Sequence, residues 1–169
     1  MRLTSTDGTV VELRPLRYQF GPPSVSASTS ASATERWDAN WLVVTGEVEL
    51  PDGRTWSFTD PCLTTGEARE LGSWLEQVRR GTVVPTAPGG EDEPALVFTE
   101  PELALSLAAR DEGSTALRVH LSLGALPPWL QGPGAPDLHA YVVEVTLTDD
   151  GLADAARAWD QELAAFPVR

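Results

Sequence analysis

The chain holds no lysine and no isoleucine, and among its 169 residues there are one cysteine and two histidines. Each shortage excludes something. The single cysteine, Cys62, rules out an intramolecular disulfide. With so few soft or imidazole ligands, and no HExxH or CxxC spacing, a zinc centre has no ligand set. No stretch approaches the roughly 20 apolar residues that a membrane helix requires. Met1 to Asp7 alternates polar and apolar residues where a secretory leader would carry an apolar core. Cytosolic residence is therefore expected. Basic residues are also scarce: 12, all arginine, against 25 acids, for a net charge of -13. That excess repels nucleic acid and anionic lipid, because binding to either relies on cationic side chains. A protein with a basic surface is the partner such a field steers in.

What is present reads as one domain over residues 1–169. A chain of this size buries roughly 70% of its unfolded surface, and its 41% hydrophobic content is that of an ordinary globular protein. Most of the signals are strands. Arg2–Thr6 and Thr9–Leu16 flank Asp7-Gly8, a favoured two-residue hairpin turn. Leu42, Val44, Gly46, Val48 and Leu50 alternate with Val43, Thr45, Glu47 and Glu49, the period of a strand with one buried face. Pro51-Asp52-Gly53 turns the chain into Arg54–Thr59. A second meander follows through Leu103–Leu107, the Asp111–Ser114 turn, Leu117–Leu123 and Tyr141–Leu147. Two helices interrupt the strands, at about 65–80 and 149–165. Thr64 and Glu67 have capping-box spacing for the first, with Ala68, Leu71, Leu75 and Val78 as its apolar stripe. Thr148 or Asp149 caps the second, whose Leu152, Ala156, Trp159, Leu163 and Phe166 recur at helical spacing. Three loops are expected, at 21–34 (uncharged, rich in serine and alanine, and mobile), 82–94 and 125–137. The fold class is α+β: mainly an antiparallel, meander-rich sheet with two helices packed on it.

Chemistry-bearing residues are few. His120 lies mid-strand opposite the apolar residues, where a partly exposed sheet position is expected, and His139 opens the last strand. Cys62 precedes a helix start but has no histidine near it in sequence, so a buried inert thiol is expected. Ser106 and Ser122 lie in strands without a nucleophile elbow. Gly89-Gly90 runs into Glu91-Asp92-Glu93, which repels phosphate. Phe58-Thr59-Asp60-Pro61-Cys62-Leu63 is echoed by Phe98-Thr99-Glu100-Pro101-Glu102-Leu103. The echo reads either as convergent turn chemistry or as a duplicated unit. It places Asp60 and Glu100 at corresponding strand ends, where a carboxylate pair for hydrolysis is conceivable. Of the six tryptophans, Trp56, Trp74 and Trp159 sit on elements and read as core. Trp37, Trp41 and Trp129 sit at margins, where they either anchor an interface or cap the core.

The order of segments resembles the WapI family of actinobacterial immunity proteins. The matching residues are Tyr18-Gln19-Phe20, Trp37 to Val44, Trp56 to Leu63, Phe98 to Leu103, Leu117 to Leu121 with Pro127-Pro128-Trp129-Leu130, and Ala164 to Pro167. The stretch 21–34 departs from that pattern as an insertion. The resemblance implies a cytosolic, non-enzymatic protein without a cofactor. Such a protein protects its producer from a polymorphic toxin delivered between neighbouring cells, which often ends in a nuclease domain. On that reading Asp38, Trp41, Asp60, Glu100 and Trp129 are the candidate toxin contacts, aromatic anchors ringed by acids, and no catalytic, cofactor or metal residues are expected. Two other readings stay open: a regulatory or structural binding module, and a hydrolase using Asp60 and Glu100.

Overall fold

The computed structural model describes residues 1–21, 38–90 and 92–169. Apart from Gly21, the expected 21–34 loop lies outside them, as do Trp37 and Glu91. The expected meander is present but divides into two antiparallel sheets of four strands. The first holds β1 (Arg2–Thr4), β2 (Val10–Tyr18), β3 (Trp41–Glu49) and β4 (Thr55–Thr64), in chain order. The second holds β5 (Leu96–Val97), β6 (Leu103–Asp111), β7 (Ser114–Leu121) and β8 (Tyr141–Thr148), also in chain order. Helix α1 (Thr65–Arg79) follows the first sheet and α2 (Asp149–Leu163) follows the second. Among the described residues, no helix is long and apolar enough to cross a membrane.

Local chemistry explains the turns. At Pro51-Asp52-Gly53 the Gly53 N–H donates to the Leu50 carbonyl at 2.9 Å, and Leu50 N–H donates to the Arg54 carbonyl at 2.9 Å. Gly53 closes this loop at φ 84°, a left-handed conformation that glycine adopts without strain. The expected two-residue turn at Asp7-Gly8 is instead a three-residue loop of the same kind. Ser5 N–H donates to the Thr9 carbonyl, and Asp7 accepts from Thr9 N–H at 2.9 Å. Strand β4 runs further than the alternation indicated, through Asp60-Pro61 to Thr64. Proline is tolerated there because β4 is an edge strand and the ladder shifts register opposite it, between Leu42 and Val44. The echoed segments are therefore not equivalent. Phe58–Leu63 is continuous strand, whereas Thr99–Glu102 is the connection from β5 to β6.

The two sheets join where β1 ends beside β8: Thr6 N–H donates to the Thr146 carbonyl at 3.0 Å, and Thr146 N–H to the Ser5 hydroxyl at 2.9 Å. One hydrophobic core lies between the sheets and helices, drawing Leu13, Val44, Phe58, Leu105, Val119 and Val145 together with Leu71, Leu75 and Trp159. Helix α2 packs on α1 and reaches strands of both sheets. The two helices approach closely at Gly72, where a Cβ would stand 2.7 Å from an Asp160 carboxylate oxygen and 3.3 Å from the Trp159 ring. The capping box of α1 is formed on both sides. The Thr64 hydroxyl accepts from Glu67 N–H at 3.2 Å, and the Glu67 carboxylate accepts from Thr64 N–H at 2.7 Å. Thr64→Ala is expected to cost about 0.5 to 2 kcal/mol, because it orphans a donor of the first turn. Urea denaturation checks this, and unchanged stability would contradict it.

Candidate functional site

The chain from β7 to β8 is drawn through two short 3-10 turns, Leu123–Ala125 and Pro128–Leu130. The first turn is pinned against β4, where the Trp56 indole N–H donates to the Ala125 carbonyl at 3.0 Å. Leu123 sits at φ 51°, uncommon for a leucine. This orientation holds its side chain outward, 50% exposed. Trp129, 44% exposed, meets Trp56 edge-on at 5.5 Å between ring centroids. The Arg54 guanidinium lies over the Trp129 ring, 5.2 Å from its centroid. Gln131 ties the segment together by donating to the Leu126 carbonyl at 2.8 Å.

Acidic side chains border this aromatic crest. Asp60 lies against Gly124, where a Cβ would come within 2.6 Å of its carboxylate and oblige it to shift. Burial pushes the Asp60 carboxyl up. The Glu102 carboxyl is pushed up first by burial, and then by the charges of Glu100 and Asp60. Three carboxylates thus share one field beside an exposed leucine and tryptophan. Glu67 closes the cluster on the side of α1. Burial works to raise its carboxyl, but hydrogen bonds from Thr64 and from Thr99, at 2.7 Å, outweigh it and hold the carboxyl low. Cys62 is fully buried at the centre, and its thiol is pushed up by burial and then by the surrounding carboxylates. That is the inert cysteine the sequence indicated.

Of the five candidate contacts, the fold brings Asp60 and Trp129 to the Leu123–Ala125 turn, and Glu100 into the field of Glu102. It does not bring Asp38 or Trp41 there. Trp41 pairs with Thr64 at the start of α1 and is 8% exposed, so its ring belongs to the edge of the core. Asp38 lies nearby, half-buried. Asp60 and Glu100 are not at corresponding strand ends, because Asp60 is inside β4 opposite Val44 and Glu100 lies in the connection to β6. Leu123 and Glu102 carry no sequence signal that marks them.

A second polar cluster corrects the expectation for His120. The residue is 2% exposed, not a wetted sheet position. Its alternation with Leu117, Val119 and Leu121 does place it on the outer face of the second sheet, but Glu93 and the Thr86 main chain reach over that face. The Arg118 guanidinium donates to the Glu93 carboxylate at 2.7 Å and to the Thr86 carbonyl at 3.0 Å. Ser106 bonds both Glu93, at 2.8 Å, and His120 Nε2, at 2.9 Å. His120 Nδ1 faces the His139 carbonyl at 2.9 Å. A carbonyl only accepts, so Nδ1 carries a proton and donates there. A serine nucleophile needs exposure and a carboxylate behind the histidine. Here Ser106 is fully buried and the carboxylate bonds the serine, so the cluster staples a loop to the sheet.

No curated protein matches the chain. A family model described as that of WapI-like immunity proteins matches residues 2–167, which includes both sheets, both helices and the crest. Matched over nearly all of its length, the chain belongs to the WapI-like immunity protein family.

Proposed function

We propose that this protein binds a cognate polymorphic toxin in the cytosol of the producing cell and neutralises it by covering it. The contact surface is the crest of Leu123 and Trp129 bordered by Asp60, Glu100 and Glu102. What carries this reading is the joining of an immunity family with an exposed tryptophan on a turn that also meets Asp60. Exposed tryptophan is over-represented among residues that dominate binding energy. The toxin is expected to be a nuclease. A nuclease holds a polyanion in a basic cleft, which a chain of net charge -13 approaches with a favourable long-range field.

The test is titration of the purified toxin domain encoded beside this chain's gene. Trp129→Ala is expected to weaken binding by about 2 kcal/mol or more, mainly through faster dissociation. Asp60→Asn and Glu100→Gln should slow association. Wild-type affinity should fall steeply between about 0.1 M and about 1 M salt, across which the screening length contracts from about 10 to about 3 Å. A flat salt response would remove the electrostatic part, and full affinity in the Trp129 variant would remove the crest.

A further inference from the structure

We infer that the outer edge of β4 is a strand-addition site. It takes an extended segment of the protein partner that alternates basic with apolar side chains. This deepens the binding function proposed above and rests on it.

The hairpin fixes which main-chain groups are free. Because Leu50 and Arg54 are hydrogen-bonded, the bonded pairs continue through Val48–Trp56, Gly46–Phe58 and Val44–Asp60. Thr55, Ser57 and Thr59 therefore turn their N–H and C=O groups away from β3. None of these groups has a hydrogen-bond partner among the described residues, and all three side chains are exposed. Among the described residues the other edges are covered in part or short, and β8 is met by β1 only at its Thr146 end. β1 is met by β8 through Thr6 and Thr146, β5 spans two residues, and β6 is covered at Leu107 by Thr86 N–H at 2.9 Å.

Natural sheets protect a long open edge with charge, proline or a bulge. The run Thr55-Trp56-Ser57-Phe58-Thr59 has none of these, and Pro61 and the register shift come only after it. It offers roughly 17 Å of regular edge at about 3.3 Å per residue. Main-chain pairing along such an edge supplies affinity, and pockets for alternate side chains supply specificity.

Charge selects the occupant. On the solvent face, Glu47 and Glu49 stand across from Ser57 and Thr55, exposed and without an ion pair among the described residues. With Arg2, Thr55 and Ser57 they line a hollow of about 280 Å³. Lysine or arginine side chains on an added strand reach toward these two carboxylates. Residues of opposite parity come beside Trp56 and Phe58, and Trp56 is continuous with the crest through its contact with Trp129.

Amide hydrogen exchange on the full chain, free and in complex with the toxin domain encoded by the adjacent gene, tests the assignment. Exchange at Thr55, Ser57 and Thr59 should slow about tenfold or more in the complex. Ser57→Pro removes an outward N–H that the sheet does not use, and it should weaken binding about tenfold. If this variant does not fold, the exchange measurement on the wild type decides. Suppose the wild type binds, Trp129→Ala weakens it, the three amides exchange as before and Ser57→Pro binds normally: then the edge assignment alone is wrong. No binding by the wild type overturns both readings. Protection of the same amides in the free chain that grows with its concentration would give the edge to a second copy and overturn the partner assignment.

Discussion

Arg118→Met is expected to destabilise the protein by about 3 to 5 kcal/mol. Arg118 and Glu93 form an ion pair whose side chains are 9% and 5% exposed. Removing the arginine leaves the Glu93 carboxylate buried without its countercharge, which costs far more than the intact pair contributes. The methionine fills comparable space, so the loss reads charge and not a cavity. The double variant Arg118→Met with Glu93→Leu should recover a large part of it, because no buried charge then remains. Chemical denaturation of the two single variants and the double variant checks this. Equal losses in the single and double variants would refute it. The pH dependence follows in sign. Burial works to raise the Glu93 carboxyl, but hydrogen bonds from Ser106 and then Arg118 outweigh it, and the net direction is down. A carboxyl lower in the folded state contributes stability that is fully present above its unfolded value of about 4.3. That contribution is lost as pH falls through the folded value. Glu93→Gln should therefore flatten part of the acid limb of the stability profile below about pH 4, while leaving its shape near neutrality unchanged.

Trp159→Ala is expected to cost about 3 to 5 kcal/mol, the usual range for emptying a fully buried aromatic site. Trp159 has no solvent exposure, lies against Gly72 where the helices meet, and donates its indole N–H to the Ala68 carbonyl at 2.7 Å. The loss combines transfer of the ring, a residual cavity between α1, α2 and both sheets, and a missing hydrogen bond. For a chain of this length the midpoint of thermal unfolding should fall by about 6 to 20 °C. Trp159→Phe separates the terms, since it keeps most of the volume and loses the donor. A midpoint in the alanine variant within about 2 °C of wild type would show that the helix pair contributes little to the shared core.

Much of this architecture is legible in the amino-acid order, because it depends on neighbours. Alternation through Leu42–Leu50 announces β3, and the spacing of Thr64, Glu67, Ala68, Leu71 and Leu75 announces a capped amphipathic helix. Gly53 marks its hairpin because only a left-handed residue closes that loop without strain. Even the sharing of one face by Arg118 and His120 follows from a period of two. The family resemblance rests on the same kind of information, an ordered set of short segments.

What could not be read in advance depends on where distant segments come to rest. Nothing near Glu93 says that it will cover Ser106 and Arg118, the latter 25 positions away, and so bury His120 on a face that alternation would leave wet. Nothing near Asp60 says that it will press on Gly124, or that Glu102 will join it. The division of one expected sheet into two was equally hidden, because strand periodicity records which face is apolar and not which strand lies alongside. Burial, ion pairing and the openness of the β4 edge are properties of close approach between segments. Close approach is set by the packing of the whole core.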